Sequence, residues 1–179
     1  MRFCIFDTDL GPFGLGWSDG GISRVLLPGQ SREALHERLS RDGAEAPSLP
    51  NSIAPIVAMV RAYAGGQRVD FSGVALDLAG VSAFHRRAYT LLQRIGWGEV
   101  TTYGAIARQL GDVSLSRAVG QAMGANPIPL VIPCHRVLGS DGKPGGFSAP
   151  GGATSKIRML GLEGVAVGRH DPVQASFVF

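Results

Sequence analysis

Cysteine is scarce in this chain. Two residues among 179, Cys4 and Cys134, cannot staple a protein of this length, which points to a reduced, soluble, cytoplasmic protein. Charge is sparse as well, at 17% of residues against 45% hydrophobic, and that balance excludes an intrinsically disordered chain. No long apolar run is present: the apolar stretch over residues 53–60 is far too short to cross a bilayer. The start, Met1-Arg2-Phe3-Cys4-Ile5-Phe6-Asp7, meets an acid before a signal-peptide core forms. Lysine is nearly missing. Arginine supplies 15 of the 17 basic residues, and its planar fork suits phosphates and base edges, although a GC-rich genome produces the same bias.

Length predicts one domain or two small ones. Glycine (26) and proline (11) are frequent but stay below the low-complexity range. The net charge of +3 is unevenly spread: residues 1–83 carry −2 and residues 84–179 carry +5. Halves of opposite sign suggest a polyanion as partner of the C-terminal part, and ordinary surface charge reads the same way.

The first third is β-rich. Residues 3–6, 14–17 and 22–27 are predicted strands, the first two joined by a Gly11-Pro12 turn. Ser31 caps a predicted helix over 32–41, and 42–51 reads as a loop. A second helix runs over 53–64, started near Pro55 and ended by Gly65-Gly66, and a strand is expected over 71–78. Ser82 then caps a helix over 83–95 with an apolar stripe of Phe84, Ala88, Leu91, Leu92 and Ile95. Residues 102–111 form a short helix. The turn Asp112-Val113-Ser114 leads to another helix over about 115–124, a helix-turn-helix outline that αα-hairpins without DNA share. The run Pro127-Ile128-Pro129-Leu130-Val131-Ile132-Pro133 is too proline-rich for a central strand and too apolar for exposure, so it reads as a stiff buried connector. A glycine-rich loop, 139–152, and a last helix near 154–162 complete the pattern.

The connector presents Cys134-His135-Arg136. A lone cysteine is commonly a small buried hydrophobe. Proline fixing the approach, an adjacent histidine and the charge of Arg136 instead favour a thiol of lowered pKa. Adjacent side chains of an extended segment point opposite ways, so His135 would reach the thiol only through a turn or a water. A core histidine bonded to backbone remains the alternative.

Pro133-Cys134-His135-Arg136-Val137, preceded by Asn126-Pro127 and by Arg117-Ala118-Val119-Gly120, resembles the O6-alkylguanine-DNA alkyltransferases. The resemblance runs collinearly from Phe84 through Gly98-Glu99-Val100-Thr101-Thr102-Tyr103-Gly104 to Glu163-Gly164. It implies an α+β protein: a small N-terminal α/β (RNase H-like) supporting domain over 1–80, a helical, winged-helix-like DNA-binding domain over 82–168, and a tail over 169–179. It also implies a monomer that binds double-stranded DNA containing O6-alkylguanine through the minor groove, with neither a membrane nor an obligate protein partner. The family moves the alkyl group from guanine O6, or from thymine O4, onto its own cysteine, once per molecule and without a cofactor.

Carried over by position, Cys134 is the acceptor, His135 a water-mediated base and Glu163 the carboxylate on its other ring nitrogen. The placement of Glu163 rests on Leu162-Glu163-Gly164 closing the last helix, because the preceding loop is longer than in relatives. Tyr103 touches the flipped base and donates a proton, and Arg117 enters the stack the base has left. Asn126 ties the reading helix to the cysteine turn. Val137 and Ser148 bind the guanine edge, and Met123 and Pro129 line the apolar part of its pocket. Thr102, Ala118 and Gln121 join Tyr103 and Arg117 on DNA. Some relatives hold a structural zinc with two Cys and two His. Only Cys4 and His36 are available in this N-terminal part, so no metal is expected. Phe147 stands where relatives often carry Tyr, and Gly124 where some carry a basic residue. A non-catalytic lesion binder, or a Cys-His hydrolase or thiol transferase, are the competing classes. A pure binder has no need of Cys134, and a hydrolase would need an oxyanion hole.

Overall fold

The computed structural model describes residues 1–167, so the expected tail over 169–179 lies outside the described residues. The chain divides into two units, Met1–Ala79 and a second that begins at Gly80. Among the described residues no helix is long and apolar enough to cross a membrane. The architecture is mixed α and β.

In the first unit, β1 (Arg2–Phe6), β2 (Phe13–Ser18) and β3 (Gly21–Leu26) form antiparallel neighbours. The β1–β2 link closes through Thr8, whose backbone exchanges hydrogen bonds with Gly11, a residue at φ +113°. Ser31 accepts from the Ala34 amide and starts α1 (Arg32–Ser40). Its Leu35 and Leu39 pack with Phe3, Ile5 and Leu26 on one sheet face. Burying that apolar face stabilises the unit by roughly 1.5–3 kcal/mol for each large side chain buried. Helix α2 (Ala54–Ala64) follows, with proline in its first turn, where a missing N–H costs nothing.

Two expectations are corrected in this unit. The loop over 42–51 contains β4 (Ala44–Glu45), which pairs parallel to β1 and gives the order β3-β2-β1-β4. The strand expected over 71–78 is a single bridge between Ile22 and Leu76. The Asp70 carboxylate accepts from the Ser72 amide, and the Val74 amide bonds back to Phe71, so the segment turns instead of extending. The close approach also requires Gly21: a Cβ there would lie 2.4 Å from the Ala75 carbonyl oxygen.

The second unit holds α3 (Ala83–Leu92), β5 (Thr101–Thr102), α4 (Tyr103–Leu110), α5 (Ser116–Gly124), β6 (Val137–Leu138) and α6 (Ala153–Leu162). Ser82 and Thr102 cap α3 and α4 by accepting from the His85 and Ala105 amides. Helix α3 stops at Leu92, three residues short of expectation. Gly111, at φ +121°, ends α4, and a 3-10 turn over Val113–Leu115 delivers the chain into α5. The buried Tyr89 hydroxyl donates to the Ala122 carbonyl at 2.8 Å and ties α3 to α5. Strands β5 and β6 pair in parallel, with Thr101 opposite Val137. Val100, Leu138 and Leu160 cluster around that pair.

The connector between α5 and β6 is buried, and it coils rather than extends. The Ile132 amide bonds to the Ile128 carbonyl, and Leu130 sits at φ +77°. A leucine held in that region stores about 1–3 kcal/mol of strain. Its near-complete burial, with Ile128, Val131 and Ile132, holds it there. The segment ends in a 3-10 turn, Cys134–Arg136, capped by Pro133. This corrects the extended reading of the cysteine segment: the turn swings successive side chains round one axis instead of alternating them.

Candidate active site

Cys134 lies at a pocket of about 660 Å³, walled by Tyr103, Arg117, Met123, Gly146, Phe147 and Ser148. Three segments converge on it: the start of α4, one face of α5 and the loop before α6. Cys134 is 3% exposed. The Asn126 amide nitrogen donates to Sγ at 3.2 Å and to the Ile132 carbonyl at 2.9 Å, while its Oδ1 accepts from the Ile128 amide at 3.0 Å. One side chain thus fixes both the connector and the sulfur.

Behind the turn lies a buried charge cluster. The His135 Nε2 and Glu163 Oε1 are 2.8 Å apart. Arg136 grips the same carboxylate through Nε to Oε2 at 2.8 Å and through Nη2 to Oε1 at 2.9 Å, and its Nη1 donates to the Ile95 carbonyl. Glu163 is the C-cap of α6, so helix length decides whether the carboxylate meets the turn. Burial alone would raise its pKa. The hydrogen bonds and charges of His135 and Arg136 outweigh that and hold the carboxyl down to about 2. Burial pushes His135 below the usual histidine range, against the pull of Glu163. Its resting form is the neutral imidazole.

The thiol corrects an expectation. Neighbouring positive charge was to lower its pKa, but Arg136 turns to Glu163, and burial pushes the thiol up. The opposing influences are the Asn126 hydrogen bond, the charge of Lys156 and the amides of Cys134 and His135. At rest the group is a thiol. Lys156 is fully buried, donates to the Val137 carbonyl, and stands 5.8 Å from the Tyr103 ring centroid and 6.0 Å from that of Phe147. Desolvation lowers its pKa to about 8, partly offset by the charge Cys134 carries as a thiolate. Tyr103 is raised by burial and by that same charge.

The remaining predicted residues divide. Tyr103, Arg117, Met123 and Ser148 are on the pocket wall with Cys134. Asn126, His135 and Glu163 stand around or behind the thiol. Thr102 is occupied as the α4 cap; Gln121 is exposed and Ala118 half-buried on α5. Pro129 and Val137 are not brought to the wall. Pro129 belongs to the connector, and Val137 is buried in β6 with its N–H bonded to Cys134 and its carbonyl to Lys156. Among the described residues no group of three or more His, Cys, Asp or Glu is placed to hold a metal ion.

Comparison with known proteins places this constellation. The family described as 6-O-methylguanine DNA methyltransferase, DNA binding domain, matches residues 83–165. A methylated-DNA–protein-cysteine methyltransferase of Mycolicibacterium paratuberculosis is 44% identical over 96% of this chain and 95% of that protein. A Thermus thermophilus protein named a DNA base-flipping protein is 36% identical over 88% of this chain and 96% of its own. The crystal structure of Mycobacterium tuberculosis OGT in complex with DNA matches with a TM-score of 0.75 at 32% identity, covering 91% of this chain and 92% of that one. The chain belongs to the methylated-DNA–protein-cysteine methyltransferases.

Two features of this methyltransferase site escaped the sequence reading, Lys156 itself and the direction of Arg136. Lys156 was not singled out, although it precedes Leu160 by four positions and Glu163 by seven, the spacing of one helical face. A lysine on the same stripe as a core leucine was the available signal. Arg136 was noticed, but its direction is set by the 3-10 turn, which no residue of the motif declares.

Proposed function

We propose that the protein repairs DNA by transferring an alkyl group from O6-alkylguanine in duplex DNA to Cys134, once per molecule. The observation that carries this reading is a buried cysteine at a pocket, with Asn126 on its sulfur and a His135–Glu163 pair behind it. A target atom inside a duplex is reached only by flipping the nucleotide out, at a cost of a few kcal/mol that is smaller for a poorly paired base. Arg117, exposed at the start of α5 and on the pocket rim, fills the vacated stack. Thr102, Ala118 and Gln121 lie along the DNA near it, and O4-alkylthymine is a second substrate.

The chemistry balances without a cofactor. The thiol proton passes through a water to neutral His135, and Glu163 stabilises the imidazolium that forms. The thiolate attacks the alkyl carbon in line, the C–O6 bond breaks, and guanine departs with its electron pair. Tyr103 protonates the departing base and recovers a proton from the histidine side. Ser148 reads the guanine edge and Met123 shapes the apolar side of its site, while Val137 and Pro129 support the pocket from β6 and the connector. The thioether has no easy route back to a thiol, so turnover stops.

The first unit, with its β3-β2-β1-β4 order and one parallel pair, supports an RNase H-like reading for 1–80. In the second, α3, α4 and α5 with the small β5–β6 pair support a winged-helix-like DNA-binding domain over 82–168. The protein acts as a monomer in the reducing cytoplasm, where a free thiol persists.

The test is intact-protein mass spectrometry after incubation with a duplex holding one O6-methylguanine. One methyl mass, mapped to the Cys134 peptide and absent from Cys134→Ala, is the expected result. The similarity to a base-flipping protein favours a second reading, a lesion binder without transfer. Tight binding of damaged DNA with no mass gain would establish that reading instead.

A further inference from the structure

Arg136 has no place in the transfer steps above, yet its guanidinium is buried and makes three hydrogen bonds. We infer that Arg136 is the positioning residue that keeps the His135–Glu163 couple free of an extra proton, so that His135 meets the thiol as a base. The inference rests on the alkyl-transfer reading and adds to it the group that sets its pH range.

Charge counting in a buried site carries the argument. With Arg136 present, the cluster of guanidinium, carboxylate and neutral imidazole sums to zero. Without the guanidinium the same cluster carries one buried negative charge, which is costly, and the couple relieves it by taking up a proton. The proton can sit on Glu163 or on His135, and the consequence is shared. A protonated imidazole cannot accept the thiol proton, and a protonated carboxyl cannot stabilise the imidazolium that acceptance creates. The geometry suits this task. The two-pronged contact, at 2.8 and 2.9 Å, occupies both Glu163 oxygens and leaves Oε1 still within 2.8 Å of His135 Nε2. Among the described residues, charged or titratable groups reach His135 from α6 and from its own turn. Glu163 comes from the end of α6, Lys156 from inside α6, and Cys134 precedes His135 in the turn. Lys156 repels a proton on His135 in the same sense as Arg136, but its hydrogen bond goes to Val137 and not to the carboxylate.

The experiment is the pH profile of single-turnover methyl transfer from a duplex containing O6-methylguanine, for wild type, Arg136→Met and Arg136→Lys. Expected is an acid limb that moves up by about one pH unit or more in Arg136→Met and returns most of the way in Arg136→Lys, which restores charge without the fork. A rate lowered equally at every pH, with the limb unmoved, would mean that Arg136 only holds the fold together, and would overturn the inference. Should Arg136→Met fail to fold, ¹⁵N spectra of the His135 ring in Arg136→Lys and wild type decide. A wild-type ring that is already protonated at neutral pH overturns it, and a neutral ring supports it. Wild-type protein that transfers no methyl at any pH would instead sink the alkyl-transfer reading itself.

Discussion

Replacing Glu163 by glutamine tests the buried cluster quantitatively. The carboxylate is held near pKa 2 against an ordinary 4.5, a difference of about 2.5 units, and at 1.36 kcal/mol per unit this group contributes about 3 kcal/mol to folding at neutral pH. The sign follows from the depressed value. That stability is fully present above pH 4.5 and is lost as pH falls towards 2. Glutamine keeps the shape but offers an N–H to donors already pointing at it, and it leaves the Arg136 charge buried without a counter-ion. Breaking a buried pair in that way costs about 3–5 kcal/mol, a large share of the 5–15 kcal/mol that typically separates folded from unfolded chains. Urea titration followed by Trp97 fluorescence, in a Trp17→Phe background so that one tryptophan reports on the second unit, measures it. Glu163→Gln should lose about 3 kcal/mol at pH 7, and the two proteins should converge as pH falls from 4.5 towards 2. A loss below about 1 kcal/mol, or a difference that stays constant across that range, refutes the reasoning.

The remaining predictions concern function. Arg117→Ala should slow repair of a paired duplex by about tenfold, from a stacking loss of roughly 1–3 kcal/mol, while transfer from free O6-alkylguanine base changes far less; equal slowing on both removes its stacking role. Lys156→Met, nearly equal in length, should move the pH midpoint of Cys134 alkylation by iodoacetamide upward and slow methyl transfer about tenfold or more. An unmoved midpoint would take Lys156 out of the thiolate's field. Binding to undamaged duplex, measured by fluorescence anisotropy, should weaken steeply between 50 and 200 mM salt because phosphate contacts release counterions; salt-independent binding would contradict a DNA-facing α5.

Local signals were read where local chemistry decides structure. Ser31 and Ser82 each cap a helix because a hydroxyl satisfies an otherwise orphaned amide, whatever the rest of the fold does. Gly111 ends α4 for a similarly local reason. What escaped depends on partners far away in sequence. Ala44 and Glu45 have no strand propensity, and they become β4 because the Ala44 amide finds the Met1 carbonyl and the Ala46 amide finds that of Phe3. Residues 71–78 alternate like a strand but have an edge available at Leu76 alone. The Pro-Cys-His-Arg motif named the site's members but not the direction of Arg136.

That direction changes the account of reactivity. A guanidinium aimed at the sulfur would hold a thiolate in the resting protein, open to any electrophile that enters a pocket of about 660 Å³. For a residue that reacts once, each such encounter destroys a molecule. Burial instead keeps Cys134 as a thiol, and the cationic charge behind it is spent on Glu163. In the proposed mechanism ionisation then needs a base, His135, which burial has left neutral. The groups that favour the thiolate, Asn126 and Lys156, are already in place and need no rearrangement when the proton leaves. Selectivity therefore lies in coupling. The sulfur becomes nucleophilic when its proton can move to His135, and the most productive moment for that transfer is when a flipped base presents its alkyl carbon in line.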